Sequence, residues 1–116
     1  MAHPADQQFF ARLAALNDKF ALGLPATLDR LASLAARLDL AAPAPVAGEL
    51  QAMLHTVAGS AATFGFRGLG QRARMLEQRL RVLQTFEAAA SADWQDWLAE
   101  LARFIAEARI DPKSIA

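Results

Sequence analysis

The chain has no cysteine and no tyrosine, and only two of its 116 residues are histidine. Without cysteine there are no disulfides and no thiolate chemistry. No uninterrupted apolar run approaches the roughly 20 residues that a membrane-spanning helix needs. The opening segment MAHPADQQFF also lacks the basic-then-apolar layout of a signal peptide. Charge of one sign is missing too: 12 Lys and Arg balance 12 Asp and Glu. The overall basic character of a nucleic-acid binder is therefore absent. These absences lead us to expect a soluble, cytoplasmic protein with neither nucleic acid nor membrane among its partners.

What is present is alanine and leucine, both strong helix formers, in a chain that is 54% hydrophobic with few and scattered β-branched residues. That combination predicts an all-α fold. At this length residues 1–116 make a single domain, large enough for a real core and too short for two.

Phe9, Leu13, Leu16 and Phe20 have the i, i+4, i+7, i+11 spacing of one buried helical face. Leu24, Leu28, Leu31, Ala35 and Leu38 carry a second stripe. Between them Gly23-Leu24-Pro25 reads either as a helix stop or as a kink in one longer helix, which Asn17 would cap in a variant of that reading. AAPAPV, residues 41–46, is the clearest loop. A helix is then predicted from about Gly48 to Phe64, with Gly65 as terminator, and another from Arg67 to about Ala88. Ser91-Ala92-Asp93 offers an N-cap for the last helix, which ends before Asp111-Pro112. Short connections between amphipathic helices favour an antiparallel up-and-down bundle.

On a helical wheel Leu50, Leu54, Val57, Ala61 and Phe64 fall in one arc, which must face the core. His55 lies roughly a quarter turn or more from that arc. It shares the outer side with Gln51, Ala52, Gly59 and Ala62, so its imidazole is expected to be at least partly exposed. Glycine inside a helix costs roughly 1 kcal/mol relative to alanine. Gly59 lies away from the core arc, so something outside the domain gains most from its missing side chain. In the next helix Leu69, Ala73, Leu76, Leu80 and Leu83 form the apolar stripe. Arg67, Arg74 and Arg81 recur every seven residues beside Gln71 and Gln78, either as a solvated face or as a cationic flank to His55.

Several chemistries find no residues. His55 has no histidine, cysteine or carboxylate at i+3 or i+4 to share a metal. Glu49 falls on another side, and His3 sits near the terminus. No acidic or hydroxyl partner completes a hydrolytic triad, and no strand precedes a glycine-rich nucleotide loop. A neutral imidazole is nonetheless a competent nucleophile near pH 7.

LHTVAGSAATFGFRGLGQRARMLE, Leu54 to Glu77, resembles the histidine-containing phosphotransfer domain. The shared features are His55, Gly59-Ser60-Ala61, Gly65, Leu69, Leu76 and Glu77, and the upstream FALGLPATLDRLASLAARL resembles the helix before the histidine helix. The resemblance spans about residues 9–108. It implies an antiparallel four-helix bundle with an accessory N-terminal helix, and a phosphoryl group carried on His55 Nε2 between receiver-domain aspartates. It implies a carrier rather than an independent catalyst, a monomer, and no cofactor or metal of its own, a divalent cation being supplied by the receiver. Its partners would be response-regulator receivers and a sensor or hybrid histidine kinase.

Many members have lysine three residues after the histidine, where this chain has Ala58. Gln71 and Arg74 are the first candidates to offset phosphate charge in its place, with Arg67 and Arg81 behind them. Gln71, Arg74, Gly59, Gln51, Ala58 and Ala62 make up the expected surroundings of the phosphoryl group and its docking partner. Ala58 also keeps open a second reading, a module that binds a receiver or kinase without being phosphorylated.

Overall fold

Pro4 at the first turn and an alanine-rich sequence start α1, Pro4–Ala36, capped by His3, whose Nδ1 accepts the Ala5 N–H at 3.2 Å. The computed structural model describes residues 3–86 and 89–115. After the proline loop come α2, Val46–Thr63, α3, Arg67–Thr85, and α4, Ser91–Ile110. The described residues hold four helices and no strand. The all-α bundle expected from composition and periodicity is the fold observed. The expected end of the third bundle helix at Ala88 lies outside the described residues; the helix is described to Thr85.

The accessory helix is not a separate element. Gly23-Leu24-Pro25 does not stop the chain, and Asn17 caps nothing, because α1 runs through both. A proline inside a helix removes one amide donor and costs about 3 kcal/mol. Here Pro25 and Ala21, whose carbonyl it leaves without an amide partner, are both exposed, so water can serve that carbonyl. Leu24, Leu28, Leu31 and Leu34 are buried on either side of the break in one continuous register. Their burial, at about 1.5–3 kcal/mol per leucine, outweighs the proline cost.

The N-terminal stripe departs from expectation in a second way. Phe9 is 57% exposed and Leu16 48% exposed, and Phe10 beside them is exposed at 61%. Only Phe20 packs, with its ring centroid 5.8 Å from that of Phe64 and 5.0 Å from that of Phe66. The reason is length. The 33 residues of α1 span about 50 Å at 1.5 Å per residue, whereas α2 to α4 have 18 to 20 residues each. The first turns of α1 therefore have nothing beside them to cover a shared apolar face.

The core is Leu24, Leu28, Leu31 and Leu34 of α1, Leu50, Leu54, Val57 and Ala61 of α2, Leu69, Ala73, Leu76 and Leu80 of α3, and Trp94, Trp97, Leu101, Phe104 and Ile105 of α4. Trp97 buries its indole by donating Nε1–H to the Leu76 carbonyl at 2.9 Å. Pairs of Arg72 with Glu107 and Arg79 with Glu100 hold α4 to α3, and Arg109 reaches Asp29 of α1 at 2.9 Å. Helix α4 starts at Ser91 as expected, but its N-cap is Ala90 rather than a residue of Ser91-Ala92-Asp93; the Asp93 carboxylate, three residues in, reaches back to accept the Ala90 N–H at 2.9 Å.

The α2–α3 hairpin is the part that positions the site. Gly65, the predicted terminator, has φ +86°, a left-handed conformation that glycine adopts without strain. It lets the Phe66 N–H reach back to the Ala61 carbonyl at 2.9 Å, closing the helix end. Returning along α2, α3 comes so close at Gly70 that a Cβ there would sit 3.1 Å from the Ala58 carbonyl oxygen and 3.2 Å from the Ala62 amide nitrogen. Gly70→Ala must therefore push two backbones apart, and urea unfolding should show a loss of about 1–3 kcal/mol. Gly59→Ala adds its methyl to open space and should gain about 0.5–1 kcal/mol in the same measurement.

Candidate functional site

Antiparallel α2 and α3 bring a short series of side chains face to face. Gln84 Nε2 donates to Gln51 Oε1 at 2.6 Å. One turn along, His55 Nδ1 lies 3.3 Å from Glu77 Oε1. Beyond that, Gly70 abuts Ala58, Ala61 and Ala62. Gly70, Glu77 and Gln84 recur every seven residues on α3, so the contact stripe is a small residue, a carboxylate and an amide in turn.

His55 is where the wheel placed it: its side chain is 74% exposed. Thr56 and Gly59 beside it are exposed as well, and nothing lies within 4 Å of a Cβ built on Gly59. Ala62 is exposed on the same side of α2. Gln71 and Arg74 are exposed on α3, and the register of the hairpin sets Arg74 level with Ala58. Among the described residues Arg74 makes no ion pair, whereas Arg72 and Arg79 are bound to acids of α4.

Two expected members of the surroundings of His55 are not free surface. Ala58 is buried, and its carbonyl lies in the closest part of the α2–α3 contact. A docking partner cannot rest on it. Gln51 is half-buried and tied to Gln84. It buttresses the hairpin beside the imidazole.

The residue that sequence reasoning missed is Glu77. Among the described residues it is the one buried polar or charged residue, with only 7% of its side chain exposed. A buried charge requires partners. Glu77 has two on a single oxygen, for Oε1 also lies 2.7 Å from Arg81 Nη2. The sequence did carry a signal: Glu77 falls four residues after Ala73 and three before Leu80, inside the apolar stripe.

This geometry has a direct chemical consequence. An ionised carboxylate only accepts hydrogen bonds, so a carboxylate beside Nδ1 favours the tautomer in which Nδ1 bears the proton. Nε2 then keeps its lone pair and is the ring nitrogen left for solvent. The site offers one exposed, oriented nitrogen nucleophile with clearance around it. Among the described residues no group of three His, Cys, Asp or Glu side chains is placed to hold a metal ion.

Next to His55 on the other side, α1 and α2 enclose an open groove of about 550 Å³. Leu16, Phe20, Leu24, Met53, Val57 and Phe64 supply its apolar lining, and Lys19 and Arg30 stand on its α1 wall. Ala52 and Thr56, neighbours of His55 on α2, line it too, so the groove and the imidazole are parts of one surface.

A helical bundle that presents an exposed imidazole backed by a buried carboxylate has the parts needed to accept a transferable group on a ring nitrogen. A family model described as the Hpt domain matches residues 7–110, nearly the whole chain. The protein belongs to that family, the histidine-containing phosphotransfer domains, which implies histidine phosphotransfer in two-component signalling, with receiver domains and histidine kinases as the kinds of partner. Members act as phosphocarriers rather than as catalysts. No curated protein and no solved structure matched the chain. No helix among the described residues is long and apolar enough to cross a membrane.

If Glu77 sets the imidazole tautomer, Glu77→Gln, whose amide can donate to Nδ1, will lower the fraction of Nδ1–H. The ¹⁵N shifts of the His55 ring read that fraction directly. An unchanged tautomer ratio would show that the carboxylate does not orient the ring.

Proposed function

We propose that His55 is the phosphorylated residue and that the protein carries its phosphoryl group between receiver-domain aspartates in a multistep relay. The observation that carries this reading is the exposed imidazole with Glu77 behind Nδ1 and open space over Gly59. The Nε2 lone pair attacks the phosphorus of an aspartyl phosphate in line. The N–P bond forms as the acyl P–O bond breaks, and the aspartate leaves as carboxylate. The attacking imidazole becomes a phosphorylated imidazolium, whose Nδ1–H faces the Glu77 carboxylate. Keeping that proton in place makes neutral imidazole the leaving group in the onward transfer to the next receiver.

Charge on the equatorial phosphoryl oxygens needs compensation. On this chain Arg74 is the best-placed group: it is exposed, unpaired among the described residues and level with the position where many relatives have lysine. A guanidinium offers two parallel donors to phosphate oxygens. Gln71, one turn nearer the start of α3, supplies further donors. The divalent cation and its acidic ligands belong to the receiver. Docking uses the outer face of α2 around Gly59 and Ala62, with the apolar α1–α2 groove beside it and Lys19 and Arg30 steering the encounter.

Incubation with a phosphorylated receiver should label the protein on an acid-labile, alkali-stable bond, as for a phosphoramidate. His55→Gln should abolish that label; full labelling of this variant would refute the assignment. Gly59→Leu should slow transfer from the receiver about tenfold more than it slows labelling by the small donor phosphoramidate, a difference of about 1.4 kcal/mol at the docking step. The burial of Ala58, with no lysine in its place, favours a second reading, a module that binds a receiver without accepting phosphate. Tight binding that never yields labelled histidine would select it.

A further inference from the structure

A carboxylate oxygen shared by two partners is held most firmly by the closer one. Glu77 Oε1 is 2.7 Å from Arg81 Nη2 and 3.3 Å from His55 Nδ1. Arg81 is one helical turn beyond Glu77, with its side chain 61% exposed, and its guanidinium turns back to the buried acid. A carboxylate on a helix has several rotamers, and only those that bring Oε1 towards α2 place it beside the imidazole. The fixed fork of a guanidinium selects among them. Arg72 and Arg79 are committed to α4, so Arg81 is the one arginine of α3 bonded to this acid among the described residues.

We propose that Arg81 is a positioning residue for His55: it pins the Glu77 carboxylate facing Nδ1 and through it sets which ring nitrogen carries the proton and where Nε2 points. The two arginines beside the site then divide the work. Arg74 stands next to the phosphoryl group, and Arg81 serves the acid behind the ring. The inference rests on the reading of His55 as phosphoryl carrier for its functional meaning, while its structural content stands in the unphosphorylated protein.

The test uses the whole chain and two readouts. The first is the His55 tautomer ratio from ¹⁵N ring shifts with no phosphate donor present, which neither a phosphate ligand nor a purely structural residue would move. The second is the rate of labelling by phosphoramidate, in which Nε2 bonds to phosphorus as the P–N bond breaks and ammonia leaves. Arg81→Gln should lower the Nδ1–H fraction and slow labelling about twofold to fivefold, the range expected for a largely exposed ion pair. Arg81→Lys, which keeps a cation within reach of Glu77, should restore at least half of both. Combined with Glu77→Gln, the Arg81→Gln change should add no further slowing, because its effect passes through the carboxylate.

An unchanged tautomer ratio in Arg81→Gln would overturn the proposal, as would an effect that adds in full to that of Glu77→Gln. Persistent labelling of His55→Gln would instead overturn the carrier assignment and leave the tautomer result standing. A thermal melt of each variant confirms that the fold is intact.

Discussion

The close approach of α3 to α2 at Gly70 is the constraint on which the site depends. With no side chain on Gly70, the third helix lies directly on the backbone of Ala58 and Ala62. That distance lets a glutamate side chain from α3 reach an imidazole on the exposed edge of α2. Two helices held farther apart would leave Glu77 as a buried charge with no histidine to serve. Gly65 matters for the same reason, because the turn it closes sets the antiparallel register in which Glu77 meets His55.

From that contact the electrostatics follow in order. The carboxylate is buried, so it needs compensation; Arg81 supplies a full charge at 2.7 Å, and His55 Nδ1 stands 3.3 Å from the same oxygen. Burial limits the access of water to the carboxylate, so its place beside the imidazole is set by the packing of two helices rather than by a solvated surface. The nucleophile itself stays in solvent, where a partner can reach it. The site is therefore packed behind the ring and open in front of it, which suits the transfer role proposed for His55.

Much of this was legible in the residues. The starts of α3 and α4, the proline loop and the stop at Gly65 follow from proline, glycine and capping signals, although α2 begins at Val46, inside the expected loop and two residues before the expected Gly48. The exposure of His55 followed from its angle to Leu54 and Val57. Other features were not legible, each for its own reason. Periodicity groups Phe9, Leu13 and Leu16 on one face, but whether anything covers that face depends on the lengths of the neighbouring helices. Pro25 signals a break, yet the leucines on both sides bury enough surface to carry the helix through it. Ala58 looked like surface because it lies outside the core arc, but α2 is flanked by α3 as well as by the core.

The sequence by itself determined that the chain is helical, where most helices begin and end, and that one histidine stands among small residues on an outer face. Only the tertiary structure decided what stands behind that histidine. A helical wheel treats a charged residue as a mark of solvent and carries no information about a partner on another helix. The pairing of His55 with Glu77, and of Glu77 with Arg81, depends on the spacing and register of two packed helices, and those are set by the space that Gly70 leaves empty.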